Sequence, residues 1–512
     1  MSFERVTPES LGIRSEDIVE FLDREFKAGI QLHSFMLIRH GKVAAEGWYD
    51  PYSPDEKHII YSFSKTFTAT AIGFARQEGI LSLDEKLVDL FPDELPDTVS
   101  ENLALADIES LLTMSCGHAE EITTEDIEKS GGNWVKAFLA KEFKFRPHTM
   151  FQYNTPGTDL LCVILKKKTG QSLTQFLTPR LFEPLGITDY YCSKTGDRTV
   201  EAGSPYSEIE AGGWGFHMLT EDLAKFIWFL AQRGVWDGKR LLEEEWFDRA
   251  FRKQIETLND VYAPAKSNWK MGYCYQCWCN PTPGSWRADG AYGQFGYVLP
   301  DKDAVMIMTA GAVDTETQLN LYTETIADRM SEEPLPENPA EYQKLQEKLN
   351  NLRIPGLWAV RQPWSEELIE GKQYEIDNPS GISFEKFTGG EGHYVHSLLV
   401  LEKMSFSFRD NQLIITLTER GQNSIMEQVL NIGLDGDYRR SQLSDGLYFS
   451  SGRWVWADEM ELEIRFHEAL GAAMIRLNID ESSVKLTVRN QMPEEIDLTS
   501  RPLHTLTGRI SV

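Results

Sequence analysis

Apolar and polar positions alternate with two different periods along this chain. Residues 15–28, SEDIVEFLDREFKA, have the spacing of an amphipathic helix, with Ser15 as its expected N-cap. HSFMLIRHGKVAAEGWY (33–49) reads as two strands around a turn at His40-Gly41-Lys42. The next stretch, IIYSFSKTFTATAIGFARQEG (59–79), begins apolar, turns polar at Ser62 and Ser64, and continues as a helix to Gly79. From about 85 to 270 the pattern is mainly helical with loops, as in EDIEKSGGNWVKAFLAK and LTEDLAKFIWFLAQRG. Strands return at YGQFGYVLP and AVMIMTAG, joined by the turn Asp301-Lys302-Asp303, and a helix at about 315–330 closes this part. Tight turns between strands predict an antiparallel sheet with helices packed on it, an α+β fold.

The character changes after residue 330. SEEPLPEN (331–338) is rich in Pro and Glu and reads as a linker, and PAEYQKLQEKLNNL (339–352) as a short charged helix. KMSFSFRDNQLIITLTE, RWVWADEMELEIRF and MIRLNIDESSVKLTV alternate apolar and polar residues between Asp, Asn, Gly and Ser turns. The division expected is a domain over 1–330, a linker with a short helix over 331–355, and a β-rich domain over 356–512. A length of 512 residues suits more than one core.

Charge narrows the partners. Asp and Glu number 79 against 51 Lys and Arg, a formal charge of −28. That excess argues against nucleic acid, because phosphate binding needs clustered cations. The N-terminus lacks an apolar signal segment and AVMIMTAGAV (304–313) is too short to span a bilayer, so the expectation is a cytoplasmic protein with no membrane partner. Six cysteines are too sparse for a disulfide scaffold. Three of them lie in CYQCWC, at Cys274, Cys277 and Cys279, where a metal site competes with a plain aromatic strand. No second ligand pair lies at zinc spacing, which favours the strand, and no metal or cofactor is called for.

Ser62 and Lys65 carry the clearest chemistry. A serine hydroxyl is a poor nucleophile until a neighbouring base takes its proton. Positions i and i+3 of a helix share a face, so the Lys65 amine can reach the Ser62 oxygen. The helix N-terminus adds free N–H groups and the positive dipole end, which suit an oxyanion. Ser64 points elsewhere and reads as a capping or structural hydroxyl.

YSFSKTFTATAIGFARQEGILSLDEKLVDLFPD resembles the first motif of the serine β-lactamase and penicillin-binding protein superfamily, closest to the class C β-lactamase-related esterases and D-aminopeptidases. The resemblance continues in LADIESLLTMSCGHAE (104–119), in FQYNTPGTDLLCVILKKKTGQSLTQFLTPRLFEPLGI (151–187), in GGWGFHMLTEDLAKF (212–226) and in RADGAYGQFGYVLP (287–300). It covers roughly residues 5–330. It implies a β-lactamase-like domain in which Ser62 is acylated, Lys65 takes the proton and Tyr153 shuttles it. The backbone N–H groups of Ser62 and Ala291 would form the oxyanion hole. The family's asparagine two residues after the tyrosine is Thr155 here, with Asn154 between. Either side chain could orient the substrate amide or Lys65. The third motif reads Ala288-Asp289-Gly290 and lacks the Lys or His that many members use to hold a substrate carboxylate. Asp289 and Gly290 join Asn154 and Thr155 as substrate-binding candidates.

The expected function is a serine hydrolase acting on a small ester, amide or short peptide, with β-lactamase activity weak or absent. The alternatives are a catalytically weak sensor or binding protein on the same fold, and a true class C-like β-lactamase. The C-terminal β domain reads as a packing or dimerising module or as a ligand-binding one, and a homo-oligomer is compatible with the sequence. His118, His148 and His217 read as structural, GGWGF as the cleft or its rim, and the lysines at 166–168 as a solvated helix face. His393 and His396 alternate on an expected strand, with no further ligand nearby.

Overall fold

His40 and Gly41 both take left-handed backbone angles (φ 52° and 71°), as a tight two-residue hairpin turn requires. The turn joins β2 (Leu32–Arg39) to β3 (Lys42–Trp48). The computed structural model describes residues 3–199, 205–258, 267–358, 361–388, 399–444, 446–466, 472–491 and 504–510. His393 and His396 lie outside them.

Seven strands form the main sheet. Besides β2 and β3 they are β1 (Glu4–Arg5), β4 (Trp278–Cys279), β5 (Trp286–Gly290), β6 (Gln294–Leu299) and β7 (Ala304–Ala310), in the order β1-β3-β2-β7-β6-β5-β4. Every pairing from β2 to β4 is antiparallel, and only the short edge strand β1 runs parallel to its neighbour. Strand β2 is buried along its whole length, its polar His33, Ser34 and Arg39 included, because it is covered on both faces. Phe35 meets Phe21 of α1 (Ser15–Lys27), and Phe21 meets Tyr322 of α5 (Thr315–Thr325), on one side. Ser34, pointing the other way, bonds Thr220 at the start of α4 (Thr220–Ala231).

Ser15 does not cap α1. It is the first helical residue, and the Glu9 carboxylate takes its N–H at 2.9 Å, so the capping acceptor comes from six residues upstream. The expected helix over 125–141 is two, Thr124–Lys129 and Trp134–Ala140, separated where Gly131 and Gly132 both have positive φ. CYQCWC is a strand only at its end, in β4, and a tight turn precedes it.

The chain divides into two units, one of residues 1–47 and 59–350, the other of 48–58 and 351–512. Residues 331–338 are held by the first unit, where Ser331 N–H bonds Gly12 O and Leu335 N–H bonds Glu9 O. The charged helix α6 (Pro339–Leu349) belongs there as well, with Leu345 buried and Lys348 paired with Asp23 at 2.6 Å. Residues 48–58 fold with the C-terminal unit: Asp50 exchanges backbone bonds with Leu352 and Ile354, and Tyr52 packs edge-on to Phe449.

The second unit is a β-barrel. Nine strands from Val400 to Ile510 follow one another, Gln373–Asp377 pairs with both Val400–Arg409 and His504–Ile510, and Gly433 bridges Ser451 to close the ring. Leu413, Ile415 and Leu417 point inward at alternate positions and join Phe406, Leu462 and Ile475 in a packed interior. Among the described residues no helix is long and apolar enough to cross a membrane.

Candidate functional site

Ser62 lies in a short 3-10 turn, Tyr61–Phe63, that feeds directly into α2 (Ser64–Gln77). Tyr61 takes φ +44°, a sparsely populated angle for a residue with a side chain. Such strain is costly and persists where the surroundings hold it, as at a site where the following side chain must be presented. Ser64 is fully buried and its Oγ accepts the N–H of Phe216 at 3.1 Å, a structural role.

Lys65 is 1 % exposed, and the contacts of its Nζ include Ser62 Oγ at 3.0 Å, Thr155 Oγ1 at 3.2 Å and Gly213 O at 2.7 Å. A neutral amine has two N–H donors and one lone pair. As an ammonium, Lys65 donates to Ser62 Oγ, Gly213 O and Thr155 Oγ1; as a neutral amine it could turn its lone pair to the Ser62 hydroxyl while still donating to the other two. The Gly213 carbonyl is placed from behind. Gly213 N–H bonds Asp159 Oδ1 at 2.8 Å, and Gly212 O accepts Thr68 Oγ1 at 3.0 Å. Only glycine fits here, since a Cβ on Gly212 would stand 2.2 Å from Thr68 Oγ1 and one on Gly213 2.8 Å from Thr155 Cγ2.

Tyr153 and Thr155 stand at the head of α3 (Thr155–Thr169). Lys65 Nζ lies 4.9 Å from the centre of the Tyr153 ring. Burial pushes the Tyr153 phenol well above its ordinary range; a hydrogen bond with Ser62 opposes this, and the charges of Asp289 and Glu121 add to it. The residue is therefore a phenol that can donate or relay a proton, not a standing phenolate.

The two candidates left open by the sequence separate. Thr155 faces Lys65, and its own N–H bonds Glu121 Oε1 at 2.5 Å. Asn154 turns away from Lys65, with its side-chain amide engaged elsewhere. It is 1 % exposed; its Oδ1 caps α3 by accepting Gly157 N–H at 3.0 Å, and its Nδ2 donates to His118 Nδ1 at 3.0 Å. Burial pushes His118 down to about 3, so it serves as a neutral acceptor. His148 pairs with Asp107 and His217 stacks on Tyr191.

Strand β5 brings the third motif alongside. Gly290 lies so close to Ile60 O that a Cβ would stand 2.2 Å from it, and Tyr292 meets Tyr61 edge-on. The strand end that carries Ala291 thus abuts the Ser62 turn. Ala288 is wholly buried, and Asp289 points to the side of Tyr153. Asp289 is paired with the fully buried Arg287 at 2.8 Å; burial raises its carboxyl above the ordinary range, opposed by Arg287, by a Trp269 hydrogen bond and by Lys65. Arg287 Nη1 donates to Asn268 O, Cys279 O and Asn280 Oδ1, and its buried Nη2 has no hydrogen-bond partner; wholly buried against Asp289, it does not replace the missing surface cation.

A cavity of about 540 Å3 opens beside Tyr153 and Thr155. Its walls include Trp134, Trp214 and Ile127, and its charged lining residues are Glu121 and Asp159, with no Lys, Arg or His. Neither acid stood out in the sequence, although Asp159 lies one helical turn beyond Thr155 on α3. Among the described residues no group of three His, Cys, Asp or Glu is placed to hold a metal ion.

Residues 22–327 match the family described as Beta-lactamase. The chain is 27 % identical over 241 residues to protein flp of Staphylococcus aureus strain N315, covering 42 % of this chain and 48 % of that one. It therefore spans about half the length of that curated relative. It is 22 % identical over 299 residues to the 6-aminohexanoate-dimer hydrolase of Paenarthrobacter ureafaciens, covering 56 % of this chain and 74 % of that one. A solved Bacillus anthracis structure, of a protein proposed as a 6-aminohexanoate-dimer hydrolase, superposes with TM-score 0.50 at 18 % identity, over 66 % of this chain and 89 % of that one.

Proposed function

Because the chain belongs to the β-lactamase family, we propose that it is a serine hydrolase that cleaves small esters or amides through an acyl-enzyme on Ser62. The observation that carries this reading is the 3.0 Å approach of Lys65 Nζ to Ser62 Oγ, with Thr155 Oγ1 and Gly213 O also holding Nζ. Lys65 as the amine takes the Ser62 proton as Oγ attacks the carbonyl. The N–H groups of Ser62 and Ala291 receive the oxyanion. Tyr153, a phenol in reach of both Ser62 and Lys65, passes the proton to the leaving alcohol or amine. Water then enters, loses its proton to the same pair and releases the acid.

Electrostatics supports a substrate class. The cavity carries Glu121 and Asp159 and no cationic lining residue. A carboxylate-bearing substrate end meets like charge there, whereas a neutral ester or an amine-bearing amide does not. One relative's name specifies the dimer of an amino acid, an amide with an amine at one end and a carboxylate at the other, so it supports the amide half of this reading and not the exclusion of a carboxylate.

The test is a fluorophosphonate probe with mass mapping, followed by kcat/KM for p-nitrophenyl butyrate, a D-alanyl anilide and a chromogenic cephalosporin, with Ser62→Ala as control. The adduct is expected on Ser62, and the ester or anilide is expected to be turned over well ahead of the cephalosporin. No labelling of the folded protein would favour a binding protein. A preference for the cephalosporin, lost in Ser62→Ala, would restore a β-lactamase.

A further inference from the structure

The segment CYQCWC has no part in the scheme above, yet it touches Tyr153 and the two helices that carry Lys65 and Thr155. Cys274 N–H bonds Cys277 O at 2.8 Å and closes a tight turn with Gln276 at φ +56°. Gln276 is 2 % exposed and every polar group of it is used. Its N–H bonds Leu112 O at 3.0 Å, and its Nε2 bonds Leu111 O at 2.9 Å and Leu112 O at 3.1 Å. These are carbonyls at the end of the helix Ile108–Leu112, where the regular backbone ladder stops; Leu111 O also accepts the Met114 N–H at 3.2 Å. Gln276 Oε1 accepts Thr158 Oγ1 at 2.7 Å and its backbone O accepts Thr66 Oγ1 at 3.1 Å. Thr66 follows Lys65 on α2, and Thr158 lies one turn beyond Thr155 on α3. One glutamine thus ties together the helices that carry Lys65 and Thr155.

Two residues later Trp278 stacks on the Tyr153 ring, with centroids 5.8 Å apart and planes at 18°. Tyr273, which bridges Trp278 across the hairpin, meets Tyr153 edge-on at 6.3 Å, and Phe151 backs Trp278 at 5.5 Å. A ring held by a stacked and an edge-on neighbour has little freedom at its first two torsions, so its hydroxyl stays near Ser62.

We propose that the 273–279 hairpin is the clasp that sets the Tyr153–Lys65 geometry, with Gln276 its anchor and Trp278 the positioning residue for Tyr153. The proposal rests on the hydrolase reading above. Trp278 touches no reacting atom, so it acts only through Tyr153.

The experiment measures the rate of Ser62 labelling by a fluorophosphonate, and kcat and KM for p-nitrophenyl butyrate. The proteins are wild type, Trp278→Ala, Trp278→Phe, Tyr153→Phe and the double variant Trp278→Ala/Tyr153→Phe, each checked for folding by circular dichroism and melting. Trp278→Ala is expected to lower the labelling rate and kcat by about tenfold, the upper end of what an aromatic pair is worth. KM is expected to stay within about threefold, and Trp278→Phe to recover most of the rate. In the Tyr153→Phe background the Trp278→Ala change is expected to cost nothing further, because a positioning residue has nothing left to position. An unchanged rate in folded Trp278→Ala, or an equal loss with and without the Tyr153 hydroxyl, would overturn the proposal while the hydrolase reading stands. Failure of wild type to be labelled at Ser62 would remove the hydrolase reading and this proposal with it.

Discussion

Glu25 gives the first unit a pH-dependent weakness that can be measured directly. It sits on α1, fully buried, and neither carboxyl oxygen has a hydrogen-bond partner. Burial, with a smaller contribution from Asp314, pushes its carboxyl up to about 9 from the ordinary 4.5. The folded state therefore holds a proton that the unfolded chain releases above 4.5. An acid whose folded value is raised contributes stability that is complete below the unfolded value and is lost as pH rises toward the folded one. The loss runs at about 1.4 kcal/mol per pH unit, so it amounts to about 3 kcal/mol by pH 7. Glu25→Gln keeps the shape and removes the titration. Its amide brings donors that also lack partners, which adds a pH-independent offset. The decisive quantity is therefore a slope. Urea unfolding of both proteins at several pH values between 5 and 8 should show the variant gaining on wild type by about 1.4 kcal/mol per pH unit. Parallel profiles, with a constant difference across that range, would show that Glu25 is not protonated in the folded protein and would refute the argument.

The remaining expectations separate Thr155, Asn154 and Ser64. Thr155→Val removes an acceptor from Lys65 and should lower kcat by about tenfold with little change in KM, the rate equivalent of one lost hydrogen bond of about 1.4 kcal/mol. Asn154→Ala removes the cap of α3 and orphans the buried His118 nitrogen, so it should cost about 1–3 kcal/mol in unfolding while the per-molecule kcat of the folded fraction stays near wild type. Ser64→Ala leaves the Phe216 N–H without its acceptor and should destabilise by about 1–2 kcal/mol, yet the fluorophosphonate adduct should still map to Ser62.

What could be read in the sequence follows from the range over which each feature is determined. The hairpin at His40-Gly41 and the sheet strands Leu32–Arg39 and Ala304–Ala310 are encoded in a few adjacent residues, by turn chemistry and apolar runs. The antiparallel core of the sheet and the barrel strands follow from the same local patterns. The ends of α1 do not, because its capping acceptor is Glu9, in a separate 3-10 turn. The division was legible only in part. Proline and glutamate at 331–338 suggest a linker by composition, but backbone bonds from Ser331 and Leu335 to Gly12 and Glu9 make the segment part of the first unit. Residues 48–58 follow a strand of the first unit in sequence and carry no compositional sign that they fold with the barrel.

The site shows the same limit more sharply. Ser62 and Lys65 are three residues apart on one turn, so their meeting is a property of local geometry. Asn154 and Thr155 are adjacent, and nothing local decides which of them faces Lys65. The decision is made by what lies on each side: His118 and the α3 amides claim Asn154, and the Glu121 carboxylate fixes the Thr155 N–H. The same applies to charge. Asp289 reads in isolation as an unopposed acid next to Ala288, the position that lacks a cation, but Arg287, two residues earlier on the same strand face, is buried against it. The negative potential of the cleft therefore depends less on Asp289 than on Glu121 and Asp159, which line the cavity without a cation among its walls. Asp159 already spends one carboxylate oxygen on Gly213, and through that peptide it steadies the carbonyl that holds Lys65. On the hydrolase reading proposed above, the acid that would repel an anionic substrate end and the acid that would orient the base are one side chain. Substrate preference and nucleophile activation would then be coupled through the Gly212-Gly213 turn, so that a change at Asp159 is expected to move both.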